Sequence, residues 1–431
     1  MTAVVAILNK RGLAIAADSA VTRSKGYDGK ITKNGNKMVR LSDVVPISVM
    51  LTGNGAYMHT QWDILVRYYR QHRGDVRHET VEACVQDFFQ FIADHHLFCD
   101  KLIVKQFIFS ELEDMFNPIV SNLCFDYDLF EEKEVDADEL VNGIKTELDN
   151  KKKTWLKEGV CPQFKDYSLE QFHRFAGYLV DGYFQREVTC LSKTIVDAIR
   201  EDVELALMTR LSTRRYKEIG SSQLVFTGYG DKQMFPSLVA VTVYEGFDDR
   251  VNYHYRQEDV VNISDDCPAA ICSFAQDDII QSLLCGLHSK FFDGLMGEMC
   301  DLFSAYDSQI GSIEEKETDG LDTNSLSSRL HKVKSMDLMR RCEKACGRHM
   351  EANRRKWEKA LQDYDLSSMA ALAESLIELT GFHRIITFSD EGVGGPVDLA
   401  IVSKADGFVW LNRKSWYHHK DVGGKYGKFG V

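Results

Sequence analysis

The sequence predicts an α+β fold in which two antiparallel sheets pack together with helices outside. The first observation is that two pairs of short apolar runs open the chain and helical patterns follow them. The second is that strand patterns then return, before further helices and a last group of strands. This order lacks the strand–helix–strand alternation of parallel sheets, and it fits a layered α+β design.

Composition narrows the class of protein. The 431 residues allow two or three domains, or one core with large insertions. Hydrophobic residues make up 44% and charged residues 27%, which is typical of soluble globular proteins. The net charge of -13 argues against nucleic acid as the main partner.

The sequence also predicts where the protein resides. No apolar run approaches the about 18 residues of a membrane span, and no secretory leader is recognisable. We therefore expect no membrane partner and a cytoplasmic location. The 11 cysteines are expected to be reduced thiols, most of them small core residues.

The first elements are two hairpins. Residues 3–8 and 13–17 are apolar runs joined by a polar turn in which Gly12 is free to adopt positive φ. Residues 37–41 and 46–52 predict a second hairpin of the same kind.

The rest of the chain follows in order. Helical spacing of apolar residues predicts helices at 60–72 and 79–96, and helical structure from 100 to about 215. Later strands are expected at 223–227, 237–244, 251–256, Ala269–Ser273, 384–388, 397–403 and 408–412. Further helices are expected at 276–304, 329–363 and 367–380, with a polar surface loop over 305–328.

Thr2 is a candidate nucleophile on chemical grounds. If Met1 is removed, Thr2 carries a free α-amino group with an ordinary pKa near 8. Such an amine can serve as the base that activates the hydroxyl of its own residue. Taken alone, Met-Thr is more simply an ordinary start of a chain.

The context of Thr2 carries a resemblance. The stretches TAVVAI…GLAIAADSAVT, NKMVRLSD…PISVMLTGNGA and DEGVGGPVDLAIVSKADGFVWL resemble the proteasome β-subunit family of N-terminal-nucleophile hydrolases, which includes the bacterial HslV peptidase and Anbu. The resemblance covers roughly half the chain, residues 2–95, 222–290 and 370–412. It implies a four-layer αββα sandwich with two antiparallel sheets.

The resemblance also implies a domain organisation, because the chain is much longer than one compact core. The core would comprise 1–96, 222–300 and 366–415. A helical insertion over 97–221, a helical extension with an acidic flexible loop over 301–365, and a flexible Gly/Lys-rich tail over 416–431 complete the chain.

Three residues would form the core of the site by this resemblance. Thr2 would be the nucleophile and, through its amine, the base. Asp18 would match the family's acidic residue, although on its own it could be a turn residue. Lys37 would match the active-site lysine, with Lys30 and Lys33 in the same loop as alternatives and a solvated strand residue as the simpler interpretation.

Other roles carry over in the same way. The backbone N–H of Gly53 would stabilise the oxyanion, Ser273 would hydrogen-bond near the threonine amine, and Asp390 would match the aspartate of an Asp-x-x-Ser-Gly-Gly motif. The chain departs from that motif, because Val393 stands at the serine position. The side chains expected to line an apolar specificity pocket are Val21, Val39 and Leu51.

The resemblance thus implies a threonine-type peptidase or amidohydrolase that works through an acyl-enzyme without a cofactor. Its substrates would be peptides or unfolded proteins, and its partners other copies of the chain, in a ring, and an ATPase. A catalytically silent proteasome-fold scaffold and an amidase acting on small amides are the alternatives.

A metal site is the weaker interpretation of one further motif. Cys342, Cys346 and His349 share one face of a predicted helix, but a fourth ligand is not evident nearby. We expect these three side chains to pack in a core instead, and we expect no bound metal.

Overall fold

The computed structural model describes residues 2–23, 30–32, 35–95, 100–126, 137–188, 190–214, 220–317, 326–387 and 394–414. These residues form antiparallel sheets and α-helices, in the mixed α+β class that the sequence predicts. Within these ranges, no helix is both long enough and apolar enough to cross a membrane.

The strands begin at the third residue of the chain. In order they are β1 (Ala3–Asn9), β2 (Gly12–Ala17), β3 (Val21–Arg23), β4 (Lys30–Thr32), β5 (Met38–Arg40), β6 (Ile47–Gly53), β7 (Ala56–Tyr57), β8 (Thr60–Gln61), β9 (Ser222–Gly228), β10 (Ser237–Phe247), β11 (Arg250–His254), β12 (Val260–Asn262), β13 (Ala269–Ala275), β14 (Asp398–Ser403) and β15 (Gly407–Asn412). Both opening hairpins are confirmed.

The helices fall between these groups of strands. They are α1 (Trp62–Arg73), α2 (Val81–Asp94), α3 (Lys101–Asp126), α4 (Ala137–Glu158), α5 (Leu169–Glu187), α6 (Lys193–Ser212), α7 (Asp278–Cys285), α8 (Ser289–Glu317), α9 (Leu326–Leu361) and α10 (Leu366–Ile386). Single turns of 3-10 helix cover Pro162–Phe164 and Gln257–Asp259.

The first of two compact units comprises Met1–Gly35 and Asn262–Val431. Its sheet has the strand order β13-β1-β2-β14-β15. On one face, Ala3, Val5 and Ile7 of β1 pack with residues of α7 and α10. The alternate residues of β1 are also fully buried. Both faces of the strand are therefore covered, which explains its continuous apolar sequence.

Asn9 and Gly12 determine where the first hairpin turns. The Asn9 carboxamide oxygen accepts hydrogen bonds from the backbone N–H of Arg11 at 2.9 Å and of Gly12 at 3.3 Å. A Cβ atom at Gly12 would lie 2.7 Å from the carbonyl oxygen of Val402. Glycine is therefore required where β2 begins against β14.

The second unit comprises Asn36–Val261. Its sheet has the order β11-β10-β9-β6-β5, and β12 pairs with β10. Helices α1 and α2 cover one face of the sheet, where Trp62, Phe88 and Phe89 pack with Phe226. Phe89 also stacks on Tyr253, with 4.1 Å between the ring centroids.

Helices α3–α6 form a second core within this unit. Their apolar faces meet around Phe116, Phe172, Tyr183 and Leu207, and Phe247 at the end of β10 belongs to the same cluster. Helix α5 begins with a capping box, in which Ser168 and Gln171 satisfy each other's backbone N–H groups. The predicted helical structure between 100 and 215 is confirmed for the residues that the structure describes.

Two predictions about the last third of the chain are wrong. The loop expected at 305–328 is helical over much of its length, since α8 extends to Glu317 and α9 starts at Leu326; residues 318–325 lie outside the described ranges. The last four residues of α8, Glu-Glu-Lys-Glu, are of types that favour helices. The strand expected at 384–388 is the last turn of α10, which ends at Ile386, because extending an existing helix is easier than starting a strand.

The helix expected at 276–304 is interrupted. Helix α7 ends at Gly286, which adopts φ +71°, and α8 starts at Ser289. A Cβ atom at position 286 would lie 2.5 Å from the side-chain nitrogen of Asn353. Glycine thus provides both the left-handed conformation and the close approach of α9.

Candidate active site

Asp18 stands at the end of β2, and its carboxylate organises the N-terminal end of the first unit. The side chain is almost fully buried, at 1% exposure. One oxygen accepts the backbone N–H of Ala3 at 2.8 Å, and the other accepts those of Ala20 at 3.2 Å and Gly394 at 3.1 Å. These charge-assisted hydrogen bonds compensate the burial of the carboxylate.

The peptide unit that follows Thr2 is held from both sides. Its N–H, which belongs to Ala3, donates to Asp18. Its carbonyl oxygen, which belongs to Thr2, accepts the backbone N–H of Gln276 at 3.0 Å. In addition, the N–H of Asp18 donates to the carbonyl oxygen of Ala3 at 3.1 Å. The half-buried Thr2 is therefore fixed next to Asp18 by hydrogen bonds in both directions.

The structure does not bring Ser273 to Thr2, which corrects its predicted role. Ser273 pairs with Val5 in the β1–β13 register, and its hydroxyl accepts a hydrogen bond from the Gln281 side chain at 2.9 Å. Strand alternation places Ser273 on the face of Val5, which α7 and α10 cover. Thr2 belongs by the same alternation to the opposite face.

Gln276 is a contact of Thr2 that the sequence did not reveal. Its N–H extends the β1–β13 ladder by one step beyond the pair Ala3–Ala275. The only available signal was the register of two strands more than 260 positions apart, and a single sequence does not contain it.

The downstream glycine motif contacts Asp18 through its second half. Asp390 and Val393 lie outside the described residues. Gly394 donates to the Asp18 carboxylate, and the carbonyl oxygen of Pro396 accepts the Ser19 hydroxyl at 2.6 Å. The Gly-Gly-Pro stretch and the Ala-Asp-Ser stretch thus meet in one unit.

Lys37 belongs to the second unit and precedes β5. It is buried, at 4% exposure, and its carbonyl oxygen accepts the N–H of Leu51 at 2.8 Å. Lysine is rarely buried to this extent without a partner. The simpler interpretation of Lys37, as a strand residue exposed to solvent, therefore does not fit its burial. The side chains of Lys30 and Lys33 lie outside the described residues.

Gly53 ends β6 in a conformation that requires glycine. Its φ is +73°, and a Cβ atom would lie 2.4 Å from the carbonyl oxygen of Ser221. The residue is exposed. A backbone N–H at such a position can be approached closely by a substrate carbonyl.

Ser222 and Trp62 hold the backbone that follows Gly53. The N–H of Asn54 donates to the carbonyl oxygen of Ser221 at 2.9 Å. The Ser222 hydroxyl donates to the carbonyl oxygen of Asn54 at 2.8 Å and accepts the indole N–H of Trp62 at 2.8 Å. Sequence reasoning missed both side chains, although a buried Trp generally needs a partner for its N–H.

The segment between Gly53 and Trp62 contains backbone strain. Met58 and His59 join β7 to β8 with φ values of +44° and +65°, which non-glycine residues rarely adopt. The Met58 N–H donates to the Glu245 carboxylate at 2.6 Å. The pKa of Glu245 is raised to about 7, chiefly by burial; the hydrogen bond from Met58 opposes the shift, and the charge of Glu111 adds to it.

Two of the three predicted pocket residues, Val39 and Leu51, are core residues of the second unit. Val39 and Leu51 are 7% and 8% exposed and belong to the cluster packed under α1 and α2. The side chain of Val21 lies outside the described residues. A lining role for these three residues stays a prediction.

The Cys342, Cys346 and His349 motif lies on α9, as expected. The core packing that we expected is wrong for His349, which is exposed and has its Nε2 atom 3.1 Å from the Asn353 amide nitrogen; both cysteines are half-buried. Within the described ranges, no group of three or more His, Cys, Asp or Glu residues could hold a metal ion.

Comparison with known proteins found similarity to solved structures. No protein-family model matches the chain, and no curated protein matches it. Among solved structures, the chain is similar to an Anbu (Gly-1) mutant from Hyphomicrobium sp. strain MC1, with 12% sequence identity over 96% of this chain and 86% of that chain. The TM-score is 0.27, which is too low to support a conclusion about fold or function.

Proposed function

We propose that the chain is a threonine-type peptidase or amidohydrolase whose nucleophile is Thr2 after removal of Met1. The observation that carries the proposal is the clamped peptide unit between Thr2 and Ala3. Asp18 and Gln276 hold it from opposite sides. A residue that must present both its hydroxyl and its amine to a substrate needs a fixed backbone of this kind.

The proposed reaction has two halves. The Thr2 amine, acting as the base, takes the proton of the Thr2 hydroxyl, whose oxygen attacks the carbonyl carbon of the substrate amide. The Gly53 N–H donates to the oxyanion that forms. The carbon–nitrogen bond then breaks, and the leaving amine takes the proton. Water, deprotonated by the Thr2 amine, then attacks the resulting ester. The amine returns this proton to the Thr2 oxygen as the carbon–oxygen bond breaks, which releases the acid and free Thr2.

Lys37 has an electrostatic role in this proposal. Its cation would favour the neutral amine and the developing oxyanion, with Asp18 holding it charged. Both side chains are almost fully buried, which is unusual for charged groups without a partner. Asp390 would take the place of the family's aspartate, and we propose no role in the reaction for Ser273.

The arrangement of layers and partners is also proposed. Each sheet has apolar residues buried on both faces, which suits the central layers of a four-layer αββα sandwich. Peptides or unfolded proteins would be the substrates, and a homo-oligomeric ring and an ATPase the partners. The four helices α3–α6 would then form a cap or docking domain.

Mass and turnover test the proposal together. Intact mass of the purified chain should show loss of one Met, and the protein should hydrolyse peptides and be labelled by threonine-directed inhibitors. Thr2→Ala should abolish both, while Thr146→Ala, at an exposed threonine of α4, should change neither. Retention of Met1 together with no hydrolysis would instead indicate a silent scaffold, and hydrolysis of small amides alone an amidase.

A further inference from the structure

The first unit contains a buried ion pair that the proposed reaction does not use. Asp398 and Lys414 have side chains only 4% and 3% exposed, and Lys414 Nζ lies 2.9 Å from one Asp398 oxygen. The backbone N–H of Lys414 donates to the other oxygen at 3.0 Å. Lys414, which follows the last strand, thus satisfies both oxygens of the carboxylate.

Asp398 lies opposite the residue that precedes Asp18 in the chain. Asp398 is the register partner of Ala17 in the β14–β2 ladder. Lys414 Nζ also donates to the carbonyl oxygen of Gly35. The N–H of Gly35 in turn donates to the carbonyl oxygen of Ser19 at 3.0 Å. Gly35 is therefore held at both its polar backbone groups, by Lys414 and by Ser19.

Stability alone does not explain such a pair. Moving two charges out of water costs several kcal/mol, and well-packed apolar side chains in their place are often equally or more stabilising. The pair does have a geometric effect that apolar side chains could not reproduce, because these have no donor for the Gly35 carbonyl oxygen. Gly35 lies two positions before Lys37 in the chain.

We propose that Asp398 and Lys414 are positioning residues, which fix Gly35 and the turn at Asp18–Ala20 and so set the geometry of the Thr2 site. The inference rests on the proposed function for its effect on turnover. Its effect on Gly35 and Ala20 is independent of that function. Neither side chain is assigned a contact with substrate.

The test uses a charge-free double variant of the full chain, Asp398→Leu with Lys414→Met, which keeps the apolar volume. Amide hydrogen exchange, followed by mass spectrometry, should be about tenfold faster in peptides that contain Gly35 and Ala20. Peptide hydrolysis should show kcat reduced about tenfold with KM unchanged, since positioning acts in the transition state. The single variant Lys414→Arg keeps the charge, so its kcat should lie between that of the double variant and that of the wild type.

The matched control is the surface pair Lys10–Asp265, whose side chains are 37% and 93% exposed. Asp265→Leu with Lys10→Met should change neither exchange at Gly35 nor kcat. Unchanged exchange at Gly35 and Ala20 in the buried-pair variant would overturn the proposal, as would faster exchange with wild-type kcat. If the wild type hydrolyses nothing, the proposed function fails, and the exchange measurement still decides whether the pair fixes Gly35. A double variant that does not fold is replaced by Lys414→Met alone, judged by the same two measurements.

Discussion

The Asp18 carboxylate accepts a hydrogen bond from the N–H of Gly394 at 3.1 Å, across 376 positions of the chain. The same side chain accepts from Ala3, directly after Thr2, and from Ala20. One buried carboxylate therefore joins three segments of the first unit. Any change of its charge or shape should affect both the stability of the unit and the position of Thr2.

Asp18→Asn tests this dependence. An amide has one oxygen and carries donors on its nitrogen, so it cannot accept all three backbone N–H groups. We expect the free energy of unfolding to fall by about 2 kcal/mol, and peptide hydrolysis to be lost. Chemical denaturation and a peptide assay measure the two effects. Asp265→Asn, at a carboxylate 93% exposed, should be neutral in both.

Gly53→Ala tests the backbone conformation at the end of β6. The new Cβ would meet the Ser221 carbonyl oxygen at 2.4 Å, in a residue with φ +73°. We expect a loss of about 1–3 kcal/mol in the free energy of unfolding. Gly55→Ala is the matched control, because nothing lies within 4 Å of its added Cβ. Equal stability of the two variants in thermal or urea unfolding would contradict the conclusion that position 53 requires glycine.

The sequence was sufficient for features that depend on local pattern. Alternation predicted both opening hairpins, and the Gly-Asn-Gly punctuation after Thr52 placed Gly53 at the end of its strand. It was insufficient for contacts that depend on register between distant strands, such as Gln276 with Thr2 and Lys414 with Asp398. Composition also misled at 305–317, because a polar segment can form a helix as readily as a loop.

Glu245→Gln tests the effect of a buried carboxyl on stability in the second unit. Its pKa rises from the ordinary value of 4.5 to about 7 in the folded protein, chiefly because of burial. Between these values the folded state binds more protons, so the contribution of Glu245 to stability is present at low pH and is lost as pH rises through about 7. The loss can reach about 3 kcal/mol. Urea unfolding should show that Glu245→Gln gains on the wild type as pH rises from about 4.5 to about 7, whereas the exposed control Glu79→Gln should follow the wild type.

His254→Gln should show the opposite pH dependence. Burial, with the positive charges of Arg214 and Arg256, lowers the pKa of His254 from 6.5 to about 4. Here the unfolded state binds more protons, so stability is full above pH 6.5 and falls toward pH 4. Glu245 and His254 therefore have contributions of opposite slope over about the same pH range, and they should nearly cancel in the wild type.

The two single variants separate these contributions. The stability of Glu245→Gln should rise with pH between about 4.5 and about 6.5, because the contribution of His254 is left uncompensated. That of His254→Gln should fall over the same range, and the double variant should be close to the wild type in its slope. Urea unfolding at several pH values measures all four proteins. A single variant without a slope over this range would show that the group left in place titrates near its ordinary pKa.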